Sequence, residues 1–199
     1  MSTHGFCFDP STPEAVARLA PATREIVVCS YYRDAELRGA NLLFRLLRLF
    51  GDGEAQVRLT EHLADEVRHA WLWTERIREL GGSPLAITDG YQVRIGRRAG
   101  LPRRLLDLLA LTVVVEQRAL RRYTDHMRHP GVSARTLEVL QAVTRDEGWH
   151  VDWIRRKARE LAAQEGDTLA LEHAIERFRA IDRAVMAELE AIERRLFFD

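Results

Sequence analysis

The pattern Asp-Glu-x-x-His occurs twice in this chain, at residues 65–69 and 146–150. On an α-helix, residues i and i+3 lie on one face, so the glutamate and histidine of each copy offer an oxygen and an imidazole nitrogen to the same point. Carboxylate and imidazole are ligands of iron and related divalent metals. The match extends downstream, because residues 78–80 and 159–161 both read Arg-Glu-Leu. The repeat therefore predicts two metal-binding helices.

A lone glutamate precedes each copy at a similar distance. Glu36 lies 30 residues before Glu66, and Glu116 lies 31 residues before Glu147. The chain thus reads as two helical hairpins, each with one lone glutamate and one Glu-x-x-His pair. The predicted metal ligands are Glu36, Glu66, His69, Glu116, Glu147 and His150.

Four glutamates on the inward faces of four helices would repel one another and take up protons unless a cation neutralised them. Two divalent ions balance four carboxylates and two neutral imidazoles, so this set predicts a dinuclear site for iron, with manganese as the alternative. Oxidation of both ions would leave excess positive charge, which an oxygen anion can neutralise. The ligand set therefore favours reactions with dioxygen or peroxide.

Apolar residues at helical spacing predict the elements that position these ligands. Residues 83–102 are rich in proline and glycine and predict an irregular crossover, and no strand is expected. The expected fold is a single all-α domain over residues 1–199, with a bundle at 22–165 and an added C-terminal helix. Long helices are predicted at residues 22–50, 54–80, 103–128, 133–165 and 167–198, after a short one that Thr12 caps and Pro13 begins.

Composition excludes several classes of protein. The 30 basic and 30 acidic side chains balance, so no overall field attracts nucleic acid or a membrane. Cys7 and Cys29 are far apart, which excludes a Cys-x-x-Cys motif and a thiolate metal site. The N-terminus does not read as a signal peptide, and the most apolar stretch, residues 105–115, is too short to span a bilayer. We expect a cytoplasmic protein.

On these residues the chain resembles the ferritin-like di-iron carboxylate superfamily, whose signature is one glutamate on each of two helices and Glu-x-x-His on each of two others. The resemblance covers residues 22–165 and implies a four-helix bundle with a long crossover between its second and third helices. It also implies which ligands each iron ion takes. The implied bridging ligands are Glu66 and Glu147, and the implied terminal pairs are Glu36 with His69 and Glu116 with His150.

Many members of that superfamily also carry an aspartate directly before the bridging glutamate. Asp65 and Asp146 match this position; the alternative is that they are surface residues that pair with neighbouring arginines. The resemblance implies that each aspartate accepts the N–H group of the histidine in the other pair. Such an acceptor fixes the tautomer of the imidazole and makes it a stronger ligand.

Three other residues share the ligand faces. Tyr32 and Thr112 each lie one turn before a lone glutamate. Either could contact a ligand, and Tyr32 could carry an electron; the alternative is a core residue. His62 lies four residues before Glu66, where the second copy has Val143, and predicts a proton donor, an additional ligand or a buried structural histidine. Gly39, beside Glu36, could leave room for oxygen or substrate.

The resemblance indicates the cofactor rather than the reaction. We expect a non-haem di-iron oxidase or monooxygenase that uses dioxygen to oxidise or hydroxylate a small organic substrate. The long crossover and the C-terminal helix exceed what a storage subunit needs, and they fit an enzyme that walls off a substrate pocket. No flavin or nicotinamide motif is present, so the electrons are expected from an external donor.

Three alternatives stay open from the sequence. The first is a ferroxidase or a peroxide-scavenging protein similar to rubrerythrin or manganese catalase. The second is a hydroxylase that modifies tRNA, and the third is a non-catalytic helical interaction module with solvated acidic residues. A homodimer is also predicted, because six aromatic residues would otherwise be exposed: Trp71, Trp73, Trp149, Trp153, Phe197 and Phe198. The basic run that keeps the tRNA alternative open is Arg94, Arg97, Arg98, Arg103 and Arg104.

Overall fold

The computed structural model describes residues 7–8, 19–51 and 53–197, and this part of the chain is all-helical apart from two short strands. The strands pair in parallel, with Cys7 opposite Ala86 and Phe8 opposite Ile87. The elements in chain order are β1 (Cys7–Phe8), α1 (Pro21–Leu47), α2 (Gly53–Glu79), β2 (Ala86–Ile87), α3 (Tyr91–Ala99), α4 (Leu105–Met127), α5 (Ala134–Gln164) and α6 (Thr168–Phe197).

Local sequence explains where the long helices begin and end. Pro21 opens α1, where its missing N–H group has no intrahelical partner to lose. Ser133 caps α5, because its hydroxyl accepts the N–H of Thr136 at 3.3 Å. Gly81 and Gly166 follow α2 and α5 with φ of 76° and 68°, a left-handed conformation that favours glycine.

The five long helices lie within one to three residues of the predicted bounds. The prediction of an irregular segment without strands was wrong for residues 83–102, which contain β2 and α3. The apolar pattern of α3 covers only about one turn, since only Tyr91 and Ile95 are buried on its inner face. Such a brief apolar pattern between glycines does not stand out from a loop. The short helix predicted from Pro13 lies outside the described residues.

The four helices that carry the candidate ligands pack against one another. Helix α1 contacts α2, α4 contacts α5, and the two pairs meet through α2 with α5 and α1 with α4. Their shared interior is apolar and includes Leu43, Leu59, Leu109 and Val143, all fully buried. The candidate ligands are thereby held on rigid helices away from bulk water.

Helix α6 covers the outside of α4 and α3 and is held there by buried polar contacts. Arg118 and Arg122 of α4 form ion pairs with Asp182 and Glu193 of α6 at 2.6 and 2.8 Å. From α3, the hydroxyl of Tyr91 donates to Asp182 at 2.9 Å. These contacts tie the crossover segment to the C-terminal helix.

None of the helices in the described part of the chain combines the length and the apolar character needed to cross a bilayer.

Candidate metal centre

All six predicted ligands are buried between α1, α2, α4 and α5. Both histidines are fully buried, and none of the four glutamates is more than 4% exposed. The alternative of an interaction module requires these acidic residues to be solvated on the surface, and the four glutamates are buried instead. Unpaired carboxylates in such a position are costly without a compensating charge.

The ligand atoms form two groups that share one residue. In each group one nitrogen or oxygen atom of every member lies within 4.8 Å of the others, and Glu66 belongs to both groups. Each group could hold a metal ion, and the shared glutamate could contact both ions. The first group is Glu36, Glu66, His69 and Glu147, and the second is His62, Glu66, Glu116 and His150.

The spacing of these atoms fits a common metal better than hydrogen bonding. Nδ1 of His69 lies 3.6 Å from Oε2 of Glu36, and Nδ1 of His150 lies 3.7 Å from Oε1 of Glu66. Hydrogen bonds of this kind span about 2.7–3.2 Å. Two ligands that each lie about 2.1 Å from one ion are separated by roughly 3.0–4.2 Å. Both Nδ1 atoms are buried without a hydrogen-bond partner among the described residues.

Glu147 spans the two histidines. Its Oε1 lies 3.4 Å from Nδ1 of His69, and its Oε2 lies 3.5 Å from Nδ1 of His150. Each oxygen therefore faces a different imidazole, as a carboxylate shared by two ions would.

His62 lies among the ligand atoms of the second group. Its Nε2 is 3.4 Å from Oε1 of Glu66 and 3.6 Å from Oε1 of Glu116, and its ring stacks on that of His150 at 3.7 Å between centroids. Neither ring nitrogen has a hydrogen-bond partner within the described chain. Burial and the neighbouring His150 lower the pKa of His62 well below its ordinary value, so the ring is neutral and keeps a lone pair. This places a third imidazole nitrogen at the cluster.

The two aspartates contact the outer nitrogens of the histidines. Oδ2 of Asp146 lies 3.1 Å from Nε2 of His69, and Oδ2 of Asp65 lies 3.2 Å from Nε2 of His150. This is the crossed pairing that the resemblance implied. An aspartate that accepts the Nε2–H group turns Nδ1 toward the cluster, where a metal ion would take the place of a second proton.

Sequence reasoning missed Arg68, which joins the two aspartates. Its Nη2 donates to Asp65 at 2.9 Å and to Asp146 at 2.6 Å. Although partial burial raises the pKa of Asp146, the hydrogen bonds from Arg68 and His69 hold it below the ordinary value. Arg68 occupies the second variable position of the first Glu-x-x-His, where the second copy has Trp149, so the repeat gave no reason to single it out.

The charges within the cluster call for cations. Burial, reinforced by neighbouring carboxylates, raises the pKa of Glu66 and of Glu116 well above the ordinary value. Burial lowers the pKa of His69, but the surrounding carboxylates outweigh burial and raise this pKa to about 10. Burial raises the pKa of Glu147, but the two adjacent histidines outweigh burial and lower this pKa to about 2. Without metal the cluster therefore holds protons at neutral pH, and a metal ion would displace them.

Neither Tyr32 nor Thr112 contacts a ligand through its hydroxyl. Tyr32 is hydrogen-bonded to Nδ1 of His126 at 2.9 Å, and Thr112 donates to the carbonyl of Leu108 in its own helix at 2.8 Å. Instead, Tyr123 donates its hydroxyl hydrogen bond to Oε1 of Glu36. Tyr123 lies seven residues after Glu116, two turns along the same helix face, and this spacing is the signal that could have identified it.

A cavity of about 10 Å³ lies beside the carboxylates, with all four glutamates in its wall. It has room for about one water-sized molecule. Gly39, where the sequence predicted room for oxygen or substrate, lines this cavity. A Cβ at Gly39 would overlap the Oε2 atom of Glu66, so a larger residue there would have to displace that carboxylate.

Most of the predicted basic run is neutralised within the chain. Four of its five arginines form ion pairs, so the run presents little unpaired positive charge to tRNA or another polyanion. The pairs include Arg94–Asp89 at 2.8 Å, Arg97–Asp89 at 3.0 Å, Arg98–Glu188 and Arg104–Asp167 at 2.7 Å.

Much of the aromatic surface that predicted a homodimer is internal. Trp73, Trp153 and Phe197 are at most 5% exposed, whereas Trp71 is 51% exposed. Phe198 lies outside the described residues. Self-association stays a prediction that the fold does not strengthen.

No protein-family model, no curated protein and no solved structure matches this chain. The geometry of the metal centre must therefore carry the functional assignment.

Proposed function

We propose that this protein is a non-haem di-iron oxidase or monooxygenase that uses dioxygen to oxidise or hydroxylate a small organic substrate. In this proposal α1, α2, α4 and α5 form a ferritin-like four-helix bundle, the segment with α3 is its long crossover, and α6 is an addition. The observation that carries the proposal is the pair of buried ligand groups that share Glu66.

The ligand chemistry favours iron over manganese. Imidazole suits iron, whereas manganese is more often held by oxygen ligands. His62 adds a third imidazole, so the second group offers two nitrogens and the first offers one. The unequal groups also predict that the two ions bind with different affinities.

The residues around the cluster hold the ligands ready for metal. Asp65 and Asp146 fix the histidine tautomers, and Tyr123 orients Glu36 by its hydrogen bond. When bound, a pair of iron ions supplies the redox chemistry for the reduction of dioxygen. Hydroxylation of one C–H bond by dioxygen also consumes two electrons and two protons and releases one water. The electrons are assigned to an external donor.

The surroundings of the cluster support a small oxidant and an organic substrate. The cavity of about 10 Å³ beside the glutamates has room for one small molecule such as an oxidant. Helix α3, within the crossover, adds a wall beside the metal centre, which a storage subunit does not need.

The test is anaerobic loading with Fe(II), followed by a pulse of dioxygen, with near-ultraviolet absorbance and retained iron per chain as readouts. We expect saturation near two irons and a transient that decays to a stable oxidised centre. Glu66→Gln should lose this response, whereas Glu61→Gln, an exposed change on the same helix, should retain it. Iron uptake far beyond two per chain would replace the proposal with a ferroxidase, and rapid peroxide dismutation by the manganese-loaded protein would replace it with a catalase.

A further inference from the structure

A larger cavity lies between α1, α3 and α4, outside the ligand cluster. Its volume is about 340 Å³, within the range of roughly 300–1,000 Å³ that small-molecule sites occupy. One wall is the crossover helix α3, which Tyr91 and Arg98 attach to α6 through Asp182 and Glu188. The cavity is therefore bounded by anchored helices rather than by a free loop.

This cavity, called here the α3 cavity, adjoins the metal centre. Gln92 and Val115 line both the α3 cavity and the cavity of about 10 Å³ beside the glutamates. These two side chains form a common wall between the two spaces. The Gln92 amide has no hydrogen-bond partner in the described part of the chain, so its donor and acceptor are available to a ligand. A molecule that fills the α3 cavity would end next to the carboxylates.

The α3 cavity is apolar at its floor and basic at its rim. Ile95, Leu111 and Val115 are buried and form the inner surface, while Arg38 and Arg45 are exposed at the outer edge. None of the described residues that line it is acidic. An elongated organic anion matches this distribution, with its apolar body on the floor and its charge at the rim.

Arg45 is the better anchor of the two arginines. Nε of Arg38 already donates to Oδ2 of Asp34 at 2.7 Å, which offsets part of its charge. Arg45 has no ion-pair partner among the residues that the structure describes. Its guanidinium can therefore form a bidentate pair with a carboxylate or phosphate without breaking an existing ion pair.

We propose that the α3 cavity is the substrate site of the metal centre, and that its ligand is a small organic anion with an apolar body. The carboxylate or phosphate group binds Arg45 at the rim, and the apolar end lies against Gln92 and Val115, facing the carboxylate cluster. This assignment rests on the proposed function for its catalytic meaning, but the binding site can be tested without turnover.

The test measures binding of octanoate, octyl phosphate and octan-1-ol to the Mn(II)-loaded protein by calorimetry. Both anions should bind more tightly than the alcohol, and the tighter anion identifies the preferred head group. Arg45→Gln should weaken the anions about three- to tenfold and leave octan-1-ol unchanged, a range set by the exposure of the guanidinium. Arg48→Gln is the matched control, because Arg48 is an exposed arginine directly after the end of α1, outside the cavity and stacked over Phe44.

Paramagnetic relaxation tests the orientation of the bound probe. Mn(II) at the cluster should relax the terminal methyl protons of octanoate more strongly than the protons beside the carboxylate. Equal binding of octan-1-ol and octanoate, equal losses in the two arginine variants, or stronger relaxation at the carboxylate end would each overturn the assignment. The same calorimetry on the metal-free protein separates failure of this site from failure of the metal centre. Neither Arg45 nor the residues of the apolar floor are candidate metal ligands, so the anions should bind whether or not metal is present.

Discussion

Replacement of Gly39 by alanine should damage the metal centre without removing any ligand. Gly39 faces Glu66 from α1, and a Cβ at this position would overlap Oε2 and lie 3.3 Å from Cδ of Glu66. To restore an ordinary van der Waals contact of about 3.5 Å, the oxygen must move by about 1 Å. Ligand positions tolerate only about 0.2 Å in metal–oxygen distance. The displaced Glu66 could no longer serve both ions.

We expect Gly39→Ala to weaken binding of at least one ion about ten- to hundredfold, which corresponds to roughly 1.4–2.8 kcal/mol. Metal-free stability should change little, because the gain of about 0.5–1 kcal/mol from alanine in a helix offsets the cost of moving a flexible carboxylate. Chelator competition with Fe(II) or Mn(II) measures the affinity, and urea unfolding of the metal-free protein measures the stability.

Gly148→Ala provides the matched control. Gly148 is exposed on α5 beside Glu147, and a Cβ there would meet nothing within 4 Å. This variant should gain about 0.5–1 kcal/mol in free energy of unfolding and keep the metal affinity of the parent protein. If Gly39→Ala bound two ions as tightly as Gly148→Ala, the position assigned to Glu66 between the ions would be refuted.

Further tests concern an aspartate beside the histidines, the protons held by the metal-free cluster and the ion pair between α4 and α6. Asp146→Asn should lower metal affinity about ten- to hundredfold in a chelator competition, whereas the exposed change Asp152→Asn should not. The pKa values of Glu66 and His69 are both raised, His69 to about 10, so folding takes up protons and the metal-free protein should lose stability as pH rises from 7 to about 10. Thermal melts of the protein with chelator should show this loss of stability, and melts of the metal-bound protein should not. A metal-free protein that gains stability between pH 7 and about 10 would contradict the prediction. Arg122→Met should cost about 3–5 kcal/mol in urea unfolding, because it leaves the buried carboxylate of Glu193 without its cation and, among the described residues, with only the hydrogen bond from Tyr31. A loss below about 1 kcal/mol would show that the ion pair does not hold α6.

The sequence sufficed to single out the six candidate ligands because their spacing is local. Glu66 and His69 are one turn apart, and their repetition at 147 and 150 marks a second helix of the same kind. Helical periodicity alone then brings all of them to one interior. The crossed pairing of Asp65 and Asp146 with the histidines could be anticipated only through the family resemblance, since it joins residues of two different helices.

Contacts between distant segments could not be derived in the same way. The stacking of His62 on His150 depends on how α2 and α5 pack. In the repeat, Val143 stands where the first copy has His62, and this shows only that the two halves differ. Gln92 carried no signal, because α3 is too short for a periodic pattern and its role comes from the wall it shares with Val115. Tyr32 illustrates the limit of helical spacing, because it lies on the predicted face but its hydroxyl contacts His126, which leaves the core alternative.

The most direct test of the dinuclear centre is anomalous X-ray scattering at the iron edge from crystals of protein loaded anaerobically with Fe(II). We expect two peaks about 3.5–4 Å apart, one between Glu36 and His69 and the other between Glu116 and His150, with Glu66 in contact with both. A single peak, or iron bound elsewhere with these side chains left in hydrogen bonds to one another, would contradict the account.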